Sequence, residues 1–231
     1  MPNDRHAVVT GSSSGIGLAI ARTLLADGWS VSGLDVSAPA IDHPAFQAVA
    51  VDLGDGAATR AAAARFTGAQ VLVHAAGVLR VAPLGALQAA DGDLMWRLHV
   101  QAAEVLADVL VPAMVAAGRG RVVLVGSRVA QGKAGRSQYA ASKAALAALA
   151  RSWAAEVVAH GVTVNVVSPA ATETAMLGDP RRQSEPPALP PLGRLIQPGE
   201  IASLVAYLLS PAAAPITGQD IQVCGGASLP R

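Results

Sequence analysis

The chain has 231 residues, 52% of them apolar and 14% charged, with 17 basic side chains against 16 acidic ones and five histidines. That length suits one domain, residues 1–231, with a substantial core. A net charge of +1 leaves no electrostatic footprint for nucleic acid or an anionic membrane. A single cysteine, Cys224, excludes an intrachain disulfide and supplies no metal cluster, so no metal is expected.

Short valine-rich runs alternate with longer segments of helical period. In chain order, strands are expected at 6–10, 30–35, 47–52, 70–74, 121–126, 162–167 and 220–224, and helices at 15–27, 56–66, 91–117, 137–160 and 198–209. The strands are apolar on both faces, as parallel strands covered by helices on each side must be. Strand–helix alternation with short connections predicts an α/β fold, a Rossmann-type doubly wound parallel sheet of seven strands. Residues 170–197 depart from the pattern: Pro180, Pro186, Pro187, Pro190 and Pro191 oppose regular structure and predict a surface excursion, not a second domain. Glu104, Asp108, Arg151 and Glu156 interrupt the longest helices, so no membrane span is expected. The N-terminus runs into a strand without an apolar leader. The reduced cytoplasm is the expected compartment.

Two motifs carry chemistry. The first, T-G-S-S-S-G-I-G at residues 10–17, follows the first strand and opens the first helix. Gly11, Gly15 and Gly17 allow tight turns and close backbone approach, while Ser13, Ser14 and Ile16 present the helix N-terminus to a pyrophosphate. Asp35, ending the next strand, is placed to hydrogen-bond both hydroxyls of an adenosine ribose and to repel a 2′-phosphate. No cation at Ser13, Ser14 or Val36 compensates, so NAD is the expected cofactor. The second motif is Y-A-A-S-K, residues 139–143, in a chain with only two tyrosines and two lysines. A spacing of four sets Tyr139 and Lys143 on one helix face. A neighbouring ammonium favours the phenolate form and makes the phenol a usable proton donor and acceptor.

Together these motifs resemble the short-chain dehydrogenase/reductase family, and the resemblance covers nearly the whole chain. V-D-L at 51–53 is similar to the family's adenine-contacting strand end, implying roles for Asp52 and Leu53. H-A-A-G at 74–77 stands where N-N-A-G or N-A-A-G is usual and implies cofactor contacts for Ala75, Ala76 and Gly77. S-P-A-A-T-E-T at 168–174 resembles P-G-x-x-x-T, with Ala170 replacing glycine, and implies cofactor contacts for Pro169, Thr172 and Thr174. Asn165 is open between a contact near the nicotinamide carboxamide and a packing role. The family's serine, twelve or thirteen residues before the tyrosine, matches Ser127. Its fourth position, an asparagine on the long helix, is aligned with Gln101, and His99 reads as a packed or rim residue.

The resemblance implies hydride transfer. Ser127 would hold the substrate oxygen and Tyr139 exchange its proton, while Lys143 would bind the nicotinamide ribose. It also implies a homodimer or homotetramer packed through the helix that holds Tyr139. The expected substrate is a small or cyclic alcohol or ketone, and the resemblance implies a lid over it, here the stiff, proline-rich stretch 176–191. Phrases such as A-A-G-V-L-R resemble 2,3-dihydro-2,3-dihydroxybenzoate dehydrogenases, which makes a cyclic dihydrodiol the alternative. Arg80 and Arg128 are placed to face an acidic substrate or solvent. A second alternative, motivated by Gln101, His74 and Ala170, is a catalytically weak NAD(H)-binding protein.

Overall fold

The structure is a computed structural model that describes residues 5–178 and 189–230. Seven strands form one parallel sheet in the order β3-β2-β1-β4-β5-β6-β7. They are β1 (His6–Thr10), β2 (Ser30–Asp35), β3 (Phe46–Ala50), β4 (Val71–His74), β5 (Gly120–Val125), β6 (Val162–Pro169) and β7 (Asp220–Val223). The helices are α1 (Gly15–Ala26), α2 (Gly56–Ala63), α3 (Ala89–Trp96), α4 (Ala102–Ala116), α5 (Ser137–Val157) and α6 (Pro198–Leu209). This is the doubly wound fold the alternation predicts. Its strand order reverses between β1 and β4, where such sheets open a crevice at their carboxyl ends.

Alternation along each strand sorts the core into two layers. Val8, Leu72, Val122, Leu124 and Val164 meet Leu106, Leu110, Met114 and Leu146 on one face. Ala7, Val9, Val71, Val73, Val123 and Val125 meet Ile20, Leu24, Ile201, Val205 and Leu208 on the other. The edge strands differ from the expectation of two apolar faces: β3 is mostly exposed and β7 half-exposed along its length.

One long segment is organised differently from its prediction. Residues 91–117 read as one helix; instead a π-turn at Arg97–Gln101 joins α3 to α4. The joined span Ala89–Ala116 is long and apolar enough, by length and composition, to cross a membrane, although Glu104 and Asp108 were expected to break it. In the fold its apolar stripe is spent on the sheet. Leu106, Leu110 and Met114 are fully buried, while Glu104 and Asp108 face outward and Asp108 pairs with Arg60 at 2.9 Å. Of the proline-rich segment, Pro180, Pro186 and Pro187 lie outside the described residues.

Close packing of β1 against α1 explains one glycine. A Cβ at Gly17 would fall inside contact distance of the Gly11 carbonyl oxygen and 2.8 Å from that of Thr10. Both obstacles are backbone, which cannot swing aside. Gly17→Ala is expected to destabilise the fold by about 3 kcal/mol. Chemical denaturation measures it, and a loss below about 1 kcal/mol would contradict the packing argument.

Candidate active site

A cavity of about 590 Å³ opens at the strand carboxyl ends on both sides of the switch point. At one end the first turn of α1 faces it through Ser14, Gly15, Ile16 and Gly17. Ser14 caps α1 without a side-chain hydrogen bond, and no acidic residue sits in that turn, so its N–H groups and positive dipole end are turned to the cavity. Asp35, Asp52 and Leu53 also line the cavity, as do Ala75, Ala76 and Gly77. Asp35 is held rigidly: Ser13 N–H donates to Oδ2 and Ser37 N–H to Oδ1, each at 2.9 Å. Each oxygen keeps a lone pair for a ligand hydroxyl.

The loop after β4 is fixed by a closed set of hydrogen bonds. The amides of Ala75 and Ala76 both donate to Thr10 Oγ1 at 3.0 Å. His74 Nε2 lies 3.1 Å from the Leu98 carbonyl oxygen, so that nitrogen carries the proton and Nδ1 accepts from Thr10 Oγ1 at 3.0 Å. Burial first, then the charge of Lys143, holds His74 down at about 4. His74 is thus a neutral brace.

At the other end, Ser127 follows β5 and α5 presents Tyr139 and Lys143 one turn apart. All three line the cavity. Ser127 is buried, its Oγ accepting from Val129 N–H at 3.2 Å, which leaves the hydroxyl proton available to a substrate oxygen. Lys143 is 5% exposed, and its Nζ donates to the Val125 carbonyl at 2.8 Å. Desolvation lowers its pKa to about 7.

His99 belongs to this cluster, and Gln101 does not. Gln101 is exposed on the outer face of α4 and does not line the cavity. His99, on the π-turn, is fully buried and stands edge-on to the Tyr139 ring at 5.6 Å and 89°. Val78 N–H donates to its Nε2 at 3.0 Å, so the proton sits on Nδ1 and is given to Ser142 Oγ at 2.9 Å. Ser142 in turn donates to the Tyr139 carbonyl at 2.9 Å. Ser142 is thereby tied back to the backbone of Tyr139. Both His99 nitrogens are engaged, so the residue orients the tyrosine turn and has no site left for relaying protons. Burial, then the charges of Lys143 and His74, holds it well below the usual histidine range. Gly77 makes room: a Cβ there would lie 3.0 Å from His99 Nε2 and 3.5 Å from Lys143 Nζ.

Pro169, Thr172 and Thr174 line the cavity. Ser13 does not; it braces Asp35 and Ser37 from behind. Asn165 resolves to packing: its amide donates to Ile216 O at 2.8 Å and accepts from Gln219 N–H at 3.1 Å. Arg80 is turned to Asp91 at 3.5 Å, outside the cavity. Sequence reasoning missed Arg136 and Lys133, which line the cavity together with Arg128 and the apolar Leu79, Leu94 and Leu98.

A family model described as enoyl-(acyl carrier protein) reductase matches residues 11–228. The chain is 36% identical to a 3-oxoacyl-(acyl-carrier-protein) reductase of Vibrio cholerae over 95% of its own length and 96% of that protein's. It is 32% identical to a D-threitol dehydrogenase of Mycolicibacterium smegmatis, covering 96% and 92% of the two chains. Among solved structures, a short chain dehydrogenase/reductase family protein superposes with a TM-score of 0.90 at 35% identity, covering 97% of each chain. A blue fluorescent protein from a metagenomic library, in complex with NADPH, superposes at 0.86 and 32% identity over 98% of each.

The buried ammonium has a cost to stability that can be measured. Between about pH 7 and the ordinary lysine range the unfolded chain binds a proton that the folded chain has lost at Lys143. This group therefore favours folding more as pH rises. Lys143→Met is expected to be more stable than the parent at pH 7, on the order of a few kcal/mol, with the gap closing toward pH 10. Cofactor-free denaturation across that range tests it; a variant less stable at pH 7 would refute it.

Proposed function

The chain belongs to the short-chain dehydrogenase/reductase family, and from that premise we propose that it interconverts a secondary alcohol and a ketone on a small or cyclic substrate, using NAD(H). The observation that carries this reading is the convergence of Ser127, Tyr139 and Lys143 on one end of a cavity whose other end is a helix N-terminus.

The family binds a nicotinamide cofactor, and the residues present fit one. The free N–H groups of α1 suit a pyrophosphate, Asp35 the adenosine ribose and Asp52 with Leu53 the adenine. When bound, the dinucleotide supplies or accepts the hydride. Lys143 would then find hydroxyl acceptors on the second ribose, which would stabilise its ammonium form. That charge favours the phenolate of Tyr139 as it takes the alcohol proton, and the reverse transfer serves ketone reduction. Ser127 donates to the substrate oxygen where negative charge develops. His99 and Ser142 fix the tyrosine turn. Gln101, one of the three residues that motivated a catalytically weak binder, lies on the solvent face; turnover separates the two readings.

The choice of NAD over NADP rests on Asp35, because one similar protein was solved with NADPH. Among the described lining residues near Asp35 and Asp52 there is no cation to receive a 2′-phosphate. The lone Cys224 is in keeping with a reduced cytoplasm. An assembly of two or four copies, through the alanine-rich α5 and the half-exposed edge strand β7, completes the reading.

Tyr139→Phe is expected to lower kcat by about 10³-fold or more while leaving NADH binding within a few-fold. Turnover is read from reduced-cofactor absorbance, and near-normal kcat would remove Tyr139 from the mechanism. Asp35→Ala is expected to lower the kcat/KM ratio of NAD to NADP about tenfold, the scale of one lost charge contact. An unchanged ratio would count against its ribose role.

A further inference from the structure

The carboxylates and the cations of this cavity are segregated. Among the described residues that line it, the only carboxylates are Asp35 and Asp52, which follow β2 and β3 on one side of the switch point. Arg128, Lys133 and Arg136 lie on the other side, on the segment that runs from β5 to α5. This segment also joins Ser127 to Tyr139, so the cations stand around the reacting end.

Arg128 and Arg136 are half-buried, and Lys133 is exposed at the rim. Arg128 is steadied by a hydrogen bond from its Nη1 to the Ala227 carbonyl at 3.3 Å. The two guanidinium groups feel one another. Burial lowers the Arg136 pKa first, nearby Tyr139 raises it and Arg128 lowers it again. Arginine does not relieve such repulsion by losing its proton. Holding two fixed charges of one sign on a partly desolvated wall is unfavourable unless an anion joins them. Their planar, multi-donor heads match a carboxylate in two-point geometry. The facing wall of Leu79, Leu94 and Leu98 suits a hydrocarbon skeleton.

Resting on the proposed oxidoreductase reading of this cavity, we propose that Arg128 and Arg136 form an anion subsite and that the substrate is a hydroxy or oxo acid, its carboxylate held between them beside Tyr139. Lys133 adds long-range attraction at the mouth. The subsite selects acids over the corresponding amides and orients the skeleton so that its oxygen meets Ser127 and Tyr139. No cofactor group competes for it, since the dinucleotide's phosphates belong to the α1 end.

Binding of a small cyclic acid to the NAD-saturated enzyme tests this without relying on turnover. Calorimetric titration with benzoate is expected to give at least tenfold tighter binding than benzamide, and tighter binding than phenyl phosphate. Arg136→Gln and Arg128→Gln are each expected to weaken benzoate about tenfold while leaving benzamide and NAD affinity unchanged. Circular dichroism and NAD affinity confirm that the variants fold. Equal binding of benzoate and benzamide, or benzoate affinity indifferent to both substitutions, would overturn the subsite. Tighter binding of phenyl phosphate would overturn its assignment to a carboxylate. Failure of the oxidoreductase reading looks different: benzoate still binds selectively, but no alcohol or ketone of a broad panel exchanges hydride with the cofactor.

Discussion

The site depends on keeping one ammonium out of water. Lys143 is buried at the end of β5 with the Val125 carbonyl as its hydrogen-bond acceptor at 2.8 Å. Desolvation works against the charge, so everything nearby must avoid adding to the penalty. Both neighbouring histidines are held neutral by burial and by tautomers that their partners dictate. A protonated His74 or His99 would set a second positive charge against the first. Gly77 withholds a side chain where one would press on both His99 and Lys143. The fold thus stores a destabilised group whose charge is completed by the hydroxyls of a ligand. Active sites and stability commonly oppose each other in this way.

The same neighbourhood shows how a sheet turns sequence into placement. Thr10 ends β1 and His74 ends β4, the two strands at which the order reverses. Their side chains bond each other and tie down the loop that forms the cavity wall. From that loop Val78 reaches His99, and from His99 the chain of donors runs through Ser142 to the backbone of Tyr139. The turn of α5 that holds Tyr139 is therefore tied to the sheet through Ser142 of the same helix. A π-turn brings His99 to this position; such turns are rare and cluster at functional sites.

Much of this was legible in the letters. The valine runs and the periods between them located the seven strands and their helices to within a few residues. The glycine motif and Y-A-A-S-K marked both ends of the cavity, because each needs a particular residue at a fixed spacing. Gln101 went astray because it was placed by motif alignment, without weighing the helix face. The buried stripe of the long helix runs through Ala102, Ala103, Leu106, Leu110 and Met114, and His99 extends it back by three and four residues. Gln101 falls instead with Glu104 and Asp108 on the wet face. That periodicity was in the sequence. The roles of Asn165 and Arg80 were not, because they depend on partners 51 and 11 residues away that only the folded chain brings near. That Arg128 and Arg136 line one cavity likewise depends on the turn between β5 and α5.

The presence of only two lysines, Lys133 and Lys143, makes the central claim directly measurable. In protein carrying ¹³C at the lysine ε-carbons, the cofactor-free enzyme should show two titrating signals. One should move near pH 7 and vanish in Lys143→Met, while the other, from Lys133, persists in that variant. Saturating NADH should carry the first signal to higher pH as hydroxyl acceptors surround the ammonium. If both signals titrate together in the ordinary lysine range, or if the cofactor leaves the first unmoved, this account of the site is wrong.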